Sequence, residues 1–271
     1  MVAELTPAAL ALLGLVGLLV GSFLNVVIVR MPDDESIVSP PSRCPECKAE
    51  IRPRDNIPVL SWILLRGRCR SCGNPIPAGY PLVELANAVL WVVAGLRFGS
   101  SWALLPMLVL FSTLLAQSVI DLELYRLLDK ITFPVTAASV VLIAVVSAVE
   151  GDATRAGMAV VGGLAYCLFL GIPAVLMPRG MGLGDVKLAL LLGLFLGWIH
   201  PLLILFALIV ACLLGIVVGA GVFVARRGKS APFPFGPWLA LGCILAIVFS
   251  QRLLDIYFAQ TASFLAGPGI F

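Results

Sequence analysis

The stretch LLILFALIVACLLGIVVGAGVFVA (202–225) contains no charged residue and no proline. A helix of that length reaches across a bilayer hydrocarbon core of about 30 Å. Working outward from it, further apolar runs occupy roughly 8–29, 82–97, 102–120, 131–149, 157–177, 186–199 and 235–258, each bounded by charges, glycine or proline. The pattern predicts an all-α polytopic membrane protein of about eight transmembrane helices. The run 186–199 is short for the core and is expected to be tilted, half-buried or extended past its ends. Composition agrees: the 271-residue chain is 61% hydrophobic and 12% charged, with a mean hydropathy of +1.08, which excludes a soluble globular domain. The first run is long enough to span and no small-residue cleavage site follows it, so it reads as a retained helix and not as a secretory signal.

Orientation follows from the basic residues. With the segment 31–80 on the cytoplasmic side, all but three of the 18 lysines and arginines fall on that side, leaving Arg97, Arg155 and Arg252 outside. This is the positive-inside bias, and with eight spans it puts both termini outside the cytoplasm. The chain then divides into a first transmembrane helix (1–30), a cytoplasmic loop domain (31–80), a transmembrane bundle (81–260) and an extracytoplasmic tail (261–271). The net charge of +3 reports that topology. Nothing interleaves aromatic and basic residues in the loop, so no nucleic-acid partner is expected; the partner that composition demands is the lipid bilayer.

Within the loop, Cys44-Pro45-Glu46-Cys47 and Cys69-Arg70-Ser71-Cys72 are two C-x-x-C pairs separated by residues 48–68. Each two-residue gap lets one turn offer two sulfurs to the same ion, so the four cysteines are the expected ligands of a tetrahedral Zn²⁺. Cytoplasmic thiols are in reducing surroundings, where metal ligation is favoured over disulfides. Four thiolates leave no open position for water, so the zinc reads as structural, holding together a loop with few large apolar side chains. Cys167, Cys212 and Cys243 stand singly in apolar runs and read as small hydrophobes.

Two acids lie at the ends of apolar runs: Asp121 in Ser118-Val119-Ile120-Asp121-Leu122-Glu123 and Asp185 in Gly182-Leu183-Gly184-Asp185-Val186-Lys187. An ionisable group near hydrocarbon is costly and by default functional. Taken singly, each is equally well a solvated cap paired with Arg126 or Lys187. On the topology above, both fall at the cytoplasmic boundary, where two carboxylates can share acid and base roles in hydrolysing a peptide bond. Gly182 and Gly184 would let backbone come close just before Asp185. Asn25, near the cytoplasmic end of the first run, is placed to hydrogen-bond across helices or to line the substrate path. His200, before Pro201 in an external turn, has no expected role.

The blocks Gly21-Ser22-Phe23-Leu24-Asn25, Ser42-Arg43-Cys44-Pro45-Glu46-Cys47, Asn56-Ile57-Pro58, Leu65-Arg66-Gly67-Arg68-Cys69-Arg70-Ser71-Cys72, Tyr80-Pro81-Leu82-Val83-Glu84, Ile120-Asp121, Gly182-Leu183-Gly184-Asp185-Val186-Lys187 and Pro234-Phe235-Gly236-Pro237 occur in that order over about residues 21–240. In this they resemble the bacterial type 4 prepilin leader peptidases. The resemblance implies a membrane aspartic endopeptidase of the inner membrane. Such enzymes remove the basic leader of type IV prepilins or type II secretion pseudopilins after a glycine, at the cytoplasmic face. Many then N-methylate the new amino terminus with S-adenosylmethionine. It further implies Asp121 and Asp185 as the catalytic pair and Cys44, Cys47, Cys69 and Cys72 as zinc ligands.

Two departures stand out. Members commonly read Asp-Leu-Asp at Asp121-Leu122-Glu123 and Leu-Pro-Asp at Leu127-Leu128-Asp129; the lost proline changes how the chain turns after Asp121. Glu123 and Asp129 are expected to be solvated or structural. No Gly-x-Gly-x-Gly nucleotide fingerprint locates the methyl donor; Glu46, Glu50, Asp55 and Glu84 could bind the substrate's new ammonium or the cofactor, but each reads first as a solvated surface acid. The rival reading, a proton-coupled transporter with Asp121 and Asp185 as relay groups, leaves the cysteine loop without a purpose.

Overall fold

The computed structural model describes residues 3–176, 182–225 and 233–265, the last six of them by backbone only. Arg179, Arg226, Arg227 and Lys229, which enter the charge argument, lie outside the described residues. Ten helices follow in order: α1 (Pro7–Arg30), α2 (Leu60–Leu64), α3 (Gly79–Phe98), α4 (Leu104–Leu124), α5 (Asp129–Val149), α6 (Ala153–Leu176), α7 (Leu183–Ile199), α8 (Leu202–Ala225), α9 (Gly236–Val248) and α10 (Ser250–Leu265). No strand occurs among the described residues; two isolated bridges lie in the loop between α1 and α3.

Among the described residues the apolar runs are helical, and six or seven helices are long and apolar enough to span, near the approximate eight expected. Helices α1, α3, α4, α5, α6 and α8 are long and apolar enough to cross a membrane. The run 235–258 is broken at Phe249 into α9 and α10, bent by 71°, and adds a seventh span if the pair counts as one. Helix α7, with 17 residues, is the short element expected at 186–199. Large apolar side chains such as Leu213, Ile216 and Val217 on α8 remain exposed, as lipid-facing surfaces should.

The chain forms two compact units, residues 1–135 and 136–271. In the first, Thr6 caps α1 by accepting the Ala9 N–H (3.2 Å), with Pro7 at the first helical position, both favourable starts. Helices α1 and α3 run antiparallel along a seam of small residues. A Cβ at Gly17 would lie 2.9 Å from Ala88 Cα, and one at Gly21 would lie 2.6 Å from Glu84 Cα. Without side chains at those points the backbones can touch, the usual basis of helix association in lipid. The seam carries polar clamps: Asn87 Nδ2 donates to Gly17 O (2.7 Å), and Asn25 Nδ2 donates to Tyr80 O (3.1 Å). Asn87 Oδ1 accepts the Ser112 hydroxyl, which accepts Trp91 Nε1 (2.8 Å each), tying α4 to α3. Leu24, Val27, Ile28, Val83, Ala116, Ile120, Leu128 and Ile131 close the core around the end of α4.

In the second unit, α6 and α7 meet backbone to backbone. A Cβ at Gly193 would fall 2.4 Å from Gly162 O, and one at Gly197 would fall 2.5 Å from Met158 O. Helices α8 and α9 use the same device, Gly242 facing Ala207 O. Trp198 at the end of α7 donates to Ser147 Oγ (2.9 Å), and Arg155 sits over its ring at 4.9 Å. Helix α4 in the first unit and helices α7 and α9 in the second are buried over most of their length.

Candidate functional site

The two C-x-x-C segments fold into matching turns. Cys44 N–H donates to Ala49 O and Lys48 N–H to Cys44 O; correspondingly, Cys69 N–H donates to Asn74 O and Gly73 N–H to Cys69 O. The residue after each second cysteine is left-handed, Lys48 at φ 58° and Gly73 at φ 74°, so glycine suits the second turn and lysine strains the first. The turns bring all four sulfurs within 4.8 Å of one another, as the sequence reading required. Cys44 and Cys72 Sγ are 3.9 Å apart; ligands about 2.3 Å from a tetrahedral centre would lie about 3.8 Å apart, so the set fits Zn²⁺. The electrostatics agree. Backbone N–H groups of Cys72 and Ser71 bring the Cys69 thiol down to about 7. The Asn74 N–H pulls the Cys72 thiol down, but partial desolvation and the sulfurs of Cys69, Cys47 and Cys44 outweigh it and push it up to about 12. Crowded thiols that cannot all ionise alone are what a divalent cation resolves. Cys69→Ser is expected to lower bound zinc from about one per chain to below a tenth, read by elemental analysis, while helical circular dichroism persists.

An Arg70–Asp55 bridge stiffens the second turn. Arg70 Nε donates to Asp55 Oδ1 and Oδ2 (3.1 and 2.9 Å) and a terminal guanidinium nitrogen to Oδ1 (2.7 Å). This hydrogen bonding, with the nearby positive charges, holds the Asp55 carboxyl below its usual range. Asp55 is therefore no simple solvated acid. Glu84 departs further from expectation: it is 8% exposed, and its Oε2 accepts the Val59 N–H (2.7 Å), holding Val59 at φ 60°. Its burial comes from the α1–α3 seam at Gly21, which no local pattern reveals. Glu46 and Glu50 are exposed, as expected. Between the loop and the ends of α1 and α3 lies a cavity of about 910 Å³, lined among others by Asn25, Ile57, Trp62, Tyr80 and Glu84.

Asp121 is 5% exposed in the last turn of α4, whereas Glu123 and Asp129 are exposed. Tyr125, left-handed at φ 54°, ends the helix by donating its N–H to Asp121 O (2.9 Å). The turn that follows is fixed by Gln117, a residue the sequence reading missed. Its Nε2 donates to Leu128 O (3.0 Å) and Thr132 Oγ1 (2.7 Å), and its Oε1 accepts the Leu128 N–H (3.1 Å). Leu128 thus uses the very N–H that a proline there would lack. The signal was present: Thr113, Gln117 and Asp121 recur every four residues, a polar stripe in an apolar helix. The same turn is tied to the end of α1, since Arg126 donates to Pro32 O (2.8 Å) and Lys130 pairs with Asp34.

Asp185 lies in the first turn of α7, half-buried, its N–H on Gly182 O (3.1 Å). A Cβ at Gly182 would stand 3.5 Å from Asp185 Oδ2; with φ −74° and ψ 140°, its backbone does not itself require glycine. The sequence-expected pair is thus divided between the units, Asp121 on α4 in the first and Asp185 on α7 in the second. His200 ends α7 and accepts the Leu202 N–H through Nδ1 (3.3 Å).

These features define a multi-pass helical membrane protein with a loop whose four clustered thiols could hold a metal ion. A family model described as the Bacterial Peptidase A24 N-terminal domain matches residues 15–98, and one for the type IV leader peptidase family matches residues 108–220. The chain is 35% identical to a prepilin leader peptidase/N-methyltransferase of Aeromonas hydrophila, covering 91% of this chain and 93% of that one. It is 34% identical to a protein of that name from Bacillus subtilis (92% and 97%) and 37% identical to one from Stutzerimonas stutzeri (93% and 94%). No solved structure matches. The chain belongs to the type IV leader peptidase family and is a membrane peptidase, which displaces the transporter reading.

Proposed function

We propose that this protein removes the basic leader of type IV prepilins or type II secretion pseudopilins after a glycine, at the cytoplasmic face of the bacterial inner membrane, and then N-methylates the released amino terminus with S-adenosylmethionine. Asp121 and Asp185 act as the catalytic pair: one carboxylate deprotonates the attacking water and the other, as an acid, hydrogen-bonds the scissile carbonyl. Gly182 and Gly184 leave the approach to Asp185 open to an extended substrate. Residues 31–80 form the cytoplasmic zinc domain, 81–260 the bundle, and both termini are extracytoplasmic. The observation that carries the peptidase reading is the burial of Asp121, which sets it apart from Glu123 in the same turn and from Asp129 at the start of α5, on a mostly buried helix in a chain of this family.

For the methyl donor, the cavity beneath the cysteine loop fits in size, since sites for cofactor-sized ligands run from about 300 to 1,000 Å³. It also fits in chemistry, combining the Trp62 ring and Ile57 with buried polar groups. S-adenosylmethionine bound there would supply an activated methyl group on sulfur. Trp62, fixed by its Nε1 donating to Ile76 O (3.0 Å), offers a flat face for a base, and the loop shields the reacting amine from bulk water.

The test is to incubate the purified protein in lipid vesicles with a prepilin and S-adenosylmethionine and to weigh the product. A single cut after a glycine with one added methyl group is expected; an uncut prepilin overturns the reading. A metal-free Cys69→Ser protein should still cut, but its product should carry less than a tenth of the wild-type methylation. Full methylation by that metal-free variant would separate the loop from the second activity.

A further inference from the structure

The floor of the loop cavity contains a pair of groups that peptide hydrolysis leaves unused. Asn25 on α1 and Glu84 on α3 both line it, and both are nine-tenths buried, at 9% and 8% exposure. Their helices touch at Gly21, where a Cβ would lie 2.6 Å from Glu84 Cα, so the backbones that carry both side chains are held together. Half of each group is already committed. Glu84 Oε2 accepts the Val59 N–H, and Asn25 Nδ2 donates to Tyr80 O. Among the described residues no donor reaches Glu84 Oε1 or Asn25 Oδ1.

Two open acceptors, one of them anionic, on largely buried side chains that line a cavity call for a ligand that brings N–H donors and positive charge. A hard metal cation is a poor match, because it takes six or more oxygens and only two are offered. A primary ammonium, compact and with three N–H donors, matches.

We infer that Asn25 and Glu84 bind the ammonium group of the substrate's new amino terminus, and that Glu84 takes its proton before methyl transfer. The inference rests on the methyl-transfer reading above. An ammonium has no lone pair to share, so the proton must leave first. Once it is on Glu84, the nitrogen lone pair forms the new bond to the methyl carbon while the carbon–sulfur bond of the sulfonium donor breaks. The electron pair of that bond stays on sulfur, which departs as a neutral thioether, and the nitrogen ends as a secondary ammonium. Asn25 Oδ1 orients the amine, and the clamp on Tyr80 O orients Asn25.

Two peptides beginning at the residue after the cleaved glycine, one with a free amine and one acetylated, test this by calorimetric binding to the zinc-loaded protein in detergent. The wild type should prefer the free amine by about ten- to a hundredfold, the range of a charge-assisted hydrogen bond. Glu84→Gln keeps an acceptor for Val59, and zinc content and circular dichroism verify its fold; its preference should fall below about threefold. Asn25→Ala, which leaves the carboxylate in place, should lower the preference about tenfold. A wild type that binds both peptides equally, or a Glu84→Gln protein that keeps the full preference, overturns the inference. Amine preference in a wild type that yields no methylated product supports the amine site and overturns methyl transfer instead, so the two failures are distinct.

Discussion

Asp121→Asn and Asp185→Asn proteins should each insert and fold, yet cut a prepilin at least about a thousandfold more slowly than the wild type. Asparagine keeps the shape and one oxygen but can neither take a proton from water nor give one to the scissile carbonyl, and general acid–base catalysis of this kind accounts for about 10²–10⁴ in rate. Losing one member of a cooperating pair removes nearly all that the pair supplies. Glu123 and Asp129 should not substitute, because both are exposed whereas Asp121 is buried. Aspartate-to-glutamate changes should also cost orders of magnitude, since moving a carboxylate by one methylene misplaces it. Single-turnover cleavage in vesicles is the measurement. Wild-type cleavage by either asparagine variant would remove that residue from the mechanism.

Adding one methyl group at Gly193 should cost about 3 kcal/mol, at the upper end for overpacking, because its two closest neighbours, Gly162 O at 2.4 Å and Gly163 Cα at 2.8 Å, are backbone that cannot rotate away. The helices would have to part along the whole seam. Gly157→Ala, on the same α6, meets nothing within 4 Å and should stabilise by up to about 1 kcal/mol through helix propensity. Same chemistry, same helix pair and opposite sign make the comparison decisive. Thermal unfolding in detergent of the two variants, side by side, should place them on opposite sides of the wild type. Equal melting temperatures would mean that α6 and α7 do not meet at Gly162 and Gly193.

The sequence reading succeeded where the physics is local. Two C-x-x-C pairs set their own turns, so the four-sulfur cluster was legible from spacing alone. Long charge-free runs dictated helices without reference to neighbours. The reading failed where tertiary contact decides. Glu84 looks like any acid near a helix start until the bare backbone of Gly21 comes against it. The polar stripe of Thr113, Gln117 and Asp121 marks Gln117 as special, but nothing local shows that its partner is Leu128, eleven residues on. The run 235–258 reads as one span because it contains no breaker near its middle, yet α9 stops at Val248 and the chain turns by 71° around Phe249. The aspartates were picked out by cost: two acids at the ends of apolar runs.

The clamp between Asn25 and Tyr80 has a topological consequence. It brings the exit from α1 and the entry to α3 side by side, so the cysteine-bearing segment is a closed excursion that leaves and returns at one place. The tethers from Arg126 and Lys130 reach Pro32 and Asp34, at its near edge. Antiparallel helices meeting this way need only about two to five residues to connect them. The whole cysteine block is therefore an insertion in the architectural sense. A lineage can gain or shed it in one event without redrawing the helices beneath, while Glu84 is the residue that would then be left facing water.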